Sequence, residues 1–215
     1  MKEVIINKTI NTIKKYYNYD ETKLLEIRYG LESLYLSIIK IVVIVLISII
    51  THTIKELCLL FLFYGILRLT GFGLHAKKSI HCWIYSIAIF NGFPLLIKCL
   101  NIENNYLLIS TIILLPFLSI YAPADTEKRP LINKKKRIVY KVVTIIISII
   151  YISIIFIKKD IYLSKILFFS IFLETLLVLP ISYKLLGLKY NNYKRYKKGG
   201  TKWNYLQKLL LLLEH

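Results

Sequence analysis

Six stretches of apolar residues, separated by polar loops, constrain this chain more than any other feature. Most of them approach the ~20 residues that a helix needs to cross the hydrocarbon core of a bilayer. Because 56% of the 215 residues are hydrophobic, a soluble domain of this length would have too little polar surface. The sequence therefore predicts an all-α integral membrane protein with six transmembrane helices, at residues 34–50, 57–69, 83–100, 106–121, 139–157 and 161–179.

The residues before the first span predict further helical structure. Ile6, Ile10, Ile13 and Tyr17 recur at helical spacing, so we expect an amphipathic N-terminal helix that lies in the cytosolic interface. A second helix is expected to begin at Asp20 as its N-cap and to lead into the first span. The chain is interpreted as one membrane-embedded domain (1–215), with interfacial helices at 1–33, the bundle at 34–188, a basic aromatic tail at 189–212 and a possible cloning scar at 213–215.

The strongly positive charge is distributed in clusters between the apolar runs. Thirty Lys and Arg against 12 Asp and Glu give a net charge of +18. In that placement anionic membrane lipids are a better partner than nucleic acid, which we exclude. The alternation of cation-rich and cation-poor loops predicts that both termini, residues 75–82 and residues 123–137 all face the cytosol.

A histidine and a cysteine follow the second apolar run, at the predicted membrane edge. Cysteine is the best side-chain nucleophile near neutral pH when a base or a nearby cation raises its thiolate fraction. On one straight helix, His75 and Cys82 would lie about 10.5 Å apart along the axis, too far for proton transfer. The backbone must therefore bend, and Gly71 and Gly73 permit it. We expect His75 in a loop or helix start and Cys82 near the cytosolic end of the third span.

Non-catalytic interpretations of the same residues are equally compatible with their spacing. His75 can be an ordinary interfacial group and Cys82 a small packing residue. A metal site of His75, His81 and Cys82 lacks a clear fourth ligand, so no metal and no cofactor are expected. Cys58 and Cys99, in or at the edge of apolar runs, are expected to be buried thiols.

Three further residues can support the chemistry. On a helix, Lys78 would lie one turn before Cys82, where its charge favours the thiolate. Ser86 would lie one turn after Cys82 and could hydrogen-bond the thiolate or the developing oxyanion, or bond back to its own helix. Asp125 can orient His75 or serve as a turn carboxylate.

Four charged residues have less certain roles. Arg68, Lys128 and Arg129 are candidates for binding an acidic substrate, although the positive-inside rule also accounts for the loop cations. Glu174 is a carboxylate within a span, where charge is costly, which makes it a functional candidate. Lys40 and Lys165 are its candidate counter-charges.

The order of these residues resembles the signature of the AgrB (accessory gene regulator B) family. The specific part is the run Arg68-x-x-Gly71-x-Gly73-x-His75-Ala76 followed by Cys82 and Ser86. Residues 29–32 (Tyr-Gly-Leu-Glu), 121–126 (Tyr-Ala-Pro-Ala-Asp-Thr) and 129–130 (Arg-Pro) agree with it. One departure is Phe72, which separates two glycines that are usually adjacent in the family.

The resemblance implies a cysteine endopeptidase of the bacterial cell membrane that processes an AgrD-like quorum-sensing propeptide. By matching position, Cys82 is the nucleophile and His75 the general base. The implied reaction releases the propeptide's C-terminal tail and forms an acyl-enzyme, from which a substrate cysteine or serine closes a (thio)lactone ring. The family also suggests a homodimer. The alternatives are a peptide transporter, with Glu174 and Lys40 along its path, and a non-catalytic membrane scaffold.

Overall fold

The structure, a computed structural model, describes residues 2–75, 79–127 and 130–194. Within these ranges the chain is helical, and its bridged backbone pairs include an isolated parallel bridge between Phe72 and Ala124. The all-α prediction is therefore confirmed for the described residues. The helices are α1 (Lys2–Tyr16), α2 (Glu21–Ile50), α3 (Ile54–Gly71), α4 (Ser79–Cys99), α5 (Asn104–Tyr121), α6 (Lys134–Lys158), α7 (Ile161–Val178) and α8 (Pro180–Leu185).

The described residues divide into two compact units, one up to Ile47 and one from Ser48 onward. The first unit contains α1 and most of α2. Asp20 caps α2 as predicted, since its carboxylate accepts the Lys23 backbone N–H at 3.1 Å and the Thr22 hydroxyl at 2.6 Å. The helix then continues for 30 residues, so the predicted second helix and the first span form one element.

In α1, two residues of the apolar stripe predicted from spacing are buried. Ile6 and Ile10 are buried, whereas Tyr17, the last member of the stripe, is exposed. The Lys2 ammonium lies 3.1 Å from the Glu32 carboxylate and joins the start of α1 to α2. The position of α1 in a membrane interface stays a prediction.

Among the residues that the structure describes, five helices are long and apolar enough to cross a membrane: α2, α4, α5, α6 and α7. The chain is therefore a multi-pass membrane protein. The remaining predicted span corresponds to α3, which has 18 residues, as α5 and α7 do. It carries three charged residues near its ends, Lys55, Glu56 and Arg68, whereas α5 carries none and α7 carries two.

Helix α7 is the centre of the second unit. Of its 18-residue apolar window 61% is buried inside the protein, against 22% or less for the other four candidate spans. It packs against α3, α4, α5 and α6. Apolar side chains of α3, α4 and α7 form one core cluster around Leu60, Ile97 and Phe169.

Hydrogen bonds between helix ends fix the direction of successive helices. At one end of the bundle, the start of α3 meets the end of α4, and the start of α5 meets the end of α6 and the start of α7. These contacts are Lys98 Nζ to the His52 carbonyl (3.1 Å), Asn104 Nδ2 to the Ile155 carbonyl (3.3 Å), Ser164 Oγ to Asn104 Oδ1 (2.5 Å) and the Tyr162 hydroxyl to Glu56 Oε1 (3.2 Å). Helices α3 to α7 therefore alternate in direction, and the ends of α3, α5 and α7 lie with the starts of α4 and α6.

Candidate active site

A tight turn after α3 carries the chain to His75. Helix α3 ends at Gly71, and Phe72 and Gly73 both have positive φ angles, of 61° and 89°. The Gly73 N–H donates to the Ala124 carbonyl at 2.8 Å, and the Ala124 N–H donates to the Gly71 carbonyl at 3.1 Å. The Leu74 N–H donates to the carbonyl of Leu177, at the end of α7, at 2.9 Å. Three backbone hydrogen bonds therefore clamp the residues immediately before His75.

Close contacts favour glycine at both positions of this turn, and at Gly73 the positive φ angle favours it as well. A Cβ atom on Gly71 would collide with the Glu174 carboxylate, and one on Gly73 would collide with the Arg68 guanidinium. The Gly73 position would also bring a Cβ within 2.8 Å of the Leu177 carbonyl oxygen. The glycines thus allow the turn to lie directly on an ion pair behind it.

That ion pair joins α3 to α7 and reaches the backbone before His75. Arg68 Nη1 lies 3.7 Å from Glu174 Oε2, and the Glu174 side chain is completely buried. The other terminal nitrogen of Arg68, Nη2, donates to the Leu74 carbonyl at 2.8 Å and to the Gly73 carbonyl at 3.4 Å. The guanidinium predicted to bind substrate is therefore directed at the protein's own carboxylate and backbone.

The predicted counter-charges of Glu174 are corrected by this arrangement. Lys165 donates from Nζ to the Leu100 carbonyl at 3.1 Å, about 13 Å from Glu174 along the axis of α7. The counter-charge that Glu174 contacts in the second unit is Arg68 and not Lys165. Sequence spacing could not identify it, because Arg68 and Glu174 lie on helices that are distant along the chain.

Asp125 is a buried anchor for the segment that follows α8. Its carboxylate accepts the backbone N–H groups of Leu131 (3.3 Å), Asn192 (2.9 Å) and Tyr193 (2.7 Å). Its own carbonyl accepts the Tyr183 hydroxyl at 3.1 Å. Burial raises the pKa of the Asp125 carboxyl above its usual value, and the three N–H donors act in the opposite direction. These bonds favour the turn-carboxylate interpretation of Asp125 over a role in orienting His75.

Replacing Asp125 by Asn is expected to destabilise the protein by about 2–3 kcal/mol, the cost of leaving a buried donor unsatisfied. Both carboxylate oxygens accept an N–H group, so either orientation of the amide sets its NH2 against another donor. Asp160→Asn is the matched control, because that cap uses one oxygen, Oδ1, for its N–H donors from Tyr162 and Leu163. Thermal unfolding in detergent measures both, and an equal effect of the two substitutions would contradict this account of Asp125.

The two residues predicted to carry the chemistry lie in the local structure that the sequence predicts, a loop for His75 and the start of a helix for Cys82. His75 follows the clamped turn in irregular backbone and is exposed, and Cys82 lies in the first turn of α4 and is half-buried. Both therefore belong to the end of the bundle where α3 ends and α4 begins. Ser86 lies one turn after Cys82 on α4 and is also half-buried.

Other predicted residues are either outside the described ranges or placed differently. Lys78, Lys128 and Arg129 lie outside the described residues. Cys58 and Cys99 are exposed on the bundle, not buried as predicted. An exposed thiol in a span is compatible with packing against lipid, because a bilayer interior replaces the protein core around it.

The segment after α8 belongs to this end of the protein, which its basic and aromatic composition does not predict. Asn192 and Tyr193 were assigned to a basic aromatic tail, yet their N–H groups bind Asp125. Tyr183, in α8, is buried, and burial raises its pKa above the usual value. An Asp two residues after a Pro in a loop is a signal for backbone N–H partners, but it does not identify which ones.

Comparisons with known proteins agree with the motif order. The profile of the family described as "Accessory gene regulator B" matches residues 6–178. An "AgrB-like protein" of Clostridium acetobutylicum is 32% identical over 186 residues, covering 86% of this chain and 89% of the relative. An "Accessory gene regulator protein B" of Staphylococcus epidermidis is 34% identical over 184 residues, covering 82% and 92%. No solved structure is significantly similar to the chain.

Proposed function

Because the chain belongs to the accessory gene regulator B (AgrB) family, we propose that it is a membrane cysteine endopeptidase that cleaves an AgrD-like propeptide. Cys82 is the nucleophile and His75 the general base. The observation that carries the proposal is the hydrogen-bonded backbone before His75. It lies at the same end of the bundle as Cys82, which is in the first turn of α4. Catalytic pairs need their supporting backbone held in place, and three backbone hydrogen bonds and Arg68 hold it here.

The proposed reaction follows from thiol chemistry. The Cys82 thiolate attacks a peptide carbonyl, and the imidazolium of His75 protonates the leaving amine, which releases the C-terminal tail of the propeptide. Backbone N–H groups in the first turn of an α-helix lack intrahelical partners, so those of α4 can donate to the oxyanion. The product of this half-reaction is a thioester between the substrate acyl group and the Cys82 sulfur.

The second half-reaction regenerates the enzyme. A thiol or hydroxyl of the substrate gives its proton to the neutral His75 and attacks the thioester carbonyl. This attack closes a thiolactone or lactone ring and displaces Cys82 as its thiolate. Exchange between a thiol and a thioester conserves the activated bond, so a thiolactone needs no further energy source. A site that excludes water favours this cyclisation over hydrolysis.

The buried position of Glu174 does not support the transporter alternative. That interpretation requires Glu174 to line a wet path, but the side chain is completely buried and lies against Gly71 and Arg68. Mass spectrometry of the purified protein in liposomes, mixed with its cognate propeptide, separates the alternatives. A released tail supports the peptidase, and an intact propeptide that nevertheless binds would contradict it.

We also propose that α3 is a sixth span and that the end carrying His75 faces the cytosol. The alternating direction of α3 to α7 supports a crossing by each of them. The residues of α3 between its terminal charges are apolar, and its 18 residues measure about 27 Å, close to the hydrocarbon thickness. The cations of Lys134–Lys136 and Arg137 at the start of α6 fit the cytosolic side.

Reporter fusions test this topology. Alkaline phosphatase, which is active outside the cytoplasm, is expected to be active when fused after Asn101 or Lys159 and inactive when fused after Thr126. The loops after Asn101 and Lys159 lie at one end of the bundle and the loop after Thr126 at the other. Each fusion therefore serves as the control for the fusions at the opposite end. Activity after Thr126, or inactivity after Asn101, would contradict the proposed orientation.

A further inference from the structure

A basic cavity of about 430 Å³ lies between the end of α5, the start of α6 and the segment after α8. This basic cavity is lined on one side by three cations of α6 and on the other by tyrosines. The residues are Lys134, Arg137, Lys141, Tyr121, Tyr190 and Tyr193. No Asp or Glu is among the described residues that line it.

The cations converge because of their spacing on α6. Lys134, Arg137 and Lys141 are three and four residues apart, so they share one face of the helix. The Arg137 guanidinium lies over the Tyr193 ring, with its Cζ 3.3 Å from the ring centroid. The Lys141 ammonium donates to the Ile120 carbonyl at 3.3 Å, in the last turn of α5. Two of the three cations are therefore held in position before any ligand binds.

The tyrosine wall is also fixed. The Tyr193 N–H donates to the Asp125 carboxylate at 2.7 Å, and the Tyr190 hydroxyl donates to the Tyr121 carbonyl at 3.4 Å. The Tyr183 and Tyr190 rings pack edge to face with centroids 5.1 Å apart. The basic cavity is thus a built feature of the fold, bounded by hydrogen-bonded backbone on the side away from α6.

The cavity combines cations with apolar side chains that are exposed on the outer surface of the bundle. Ile120 is 65% exposed and Ile138 is 52% exposed, and both line the cavity. Lys134 and Lys141 are about 10 Å apart along α6, so together they span the roughly 5–8 Å of one headgroup layer. The cavity therefore offers positive charge at headgroup depth beside an apolar surface that continues along the spans.

We propose that the basic cavity binds the phosphate of an anionic phospholipid headgroup, whose acyl chains lie against Ile120 and Ile138. Arg137 presents a planar fork suited to two phosphate oxygens, and the lysines add point charges. The apolar flank distinguishes a lipid from free phosphate, which would gain nothing from it. The site does not depend on the peptidase proposal, since no residue of the His75–Cys82 pair lines it.

Native mass spectrometry of the full chain in detergent tests the proposal. The probes are dioleoyl phosphatidylglycerol, dioleoyl phosphatidylcholine with the same acyl chains, and inorganic phosphate. We expect the wild-type chain to retain phosphatidylglycerol in preference to both others. The double substitution Arg137→Gln and Lys141→Gln is expected to weaken that binding about twenty-five-fold, from about fivefold for each cation removed.

Lys135→Gln with Lys136→Gln is the matched control. These residues lie on the same helix, are exposed and do not line the basic cavity. The charge change is therefore equal, but salt screens these exposed charges from a lipid in the cavity, so binding should change less than about twofold. If the first double variant fails to fold, Lys134→Gln against Lys135→Gln gives the same comparison at the exposed start of α6. Equal losses in cavity and control variants, equal retention of phosphatidylcholine, or displacement of the lipid by millimolar inorganic phosphate would each overturn the proposal.

Discussion

Replacing Cys82 by alanine is expected to lower the rate of propeptide cleavage at least about a thousandfold, because removal of a catalytic nucleophile leaves only binding and oxyanion contacts. The substitution removes one sulfur atom from the half-buried first turn of α4. It should therefore leave the unfolding temperature nearly unchanged. The measurement is the initial rate of tail release from the cognate propeptide in liposomes, followed by mass spectrometry.

The other two cysteines provide matched controls for this prediction. Cys58 and Cys99 are exposed on the bundle, so Cys58→Ala and Cys99→Ala should retain the wild-type rate. His75→Ala should resemble Cys82→Ala, since a thiol without its base attacks slowly. Cleavage that survives in Cys82→Ala would remove the nucleophile from the proposal.

Replacing Glu174 by alanine is expected to destabilise the protein by about 3–5 kcal/mol, the usual cost of removing one partner of a buried ion pair. The Arg68 guanidinium would keep its bonds to the Gly73 and Leu74 carbonyls but lose its counter-charge 3.7 Å away. The turn before His75 should loosen, and the cleavage rate should fall with it. Thermal unfolding in detergent and the tail-release rate measure the two effects.

A paired substitution separates stability from positioning. Arg68→Met with Glu174→Leu removes both charges, so much of the lost stability should return. Cleavage should not return, because the paired variant removes the donor that Arg68 supplies to the Gly73 and Leu74 carbonyls. Glu56→Ala is the control at the far end of the bundle, where a buried carboxylate accepts the Tyr162 hydroxyl. Wild-type cleavage by the paired variant would show that Arg68 does not position His75.

The local structure of the chain follows from its sequence to a large extent. Apolar runs predict α2 to α7, although not the short α8, and the Asp20 cap and the end of α3 at Gly71 lie where turn chemistry places them. The positions of His75 after the turn and of Cys82 at the start of α4 are likewise local features that the sequence predicts. Each depends on interactions among residues close in sequence, which propensity and spacing describe well.

Pairings between distant elements could not be predicted from one sequence. Arg68 was assigned to substrate and Glu174 to a lysine, because spacing along a helix says nothing about which helix packs beside it. Asp125 was considered as a partner for His75, yet it accepts N–H groups from a segment near the end of the described chain. The exposed Cys58 illustrates a second limit, since an apolar helix in a membrane can present its thiols to lipid.

The most direct test of the central claim is to detect the covalent intermediate on Cys82. The protein in liposomes is mixed with its propeptide, quenched in acid within seconds, digested, and searched by mass spectrometry for a peptide that carries the substrate acyl group. The account predicts an adduct on the Cys82 peptide that is sensitive to hydroxylamine, as a thioester is, and that is lost in Cys82→Ala. Tail release with no adduct on Cys82, or with an adduct on Cys58 or Cys99, would contradict it.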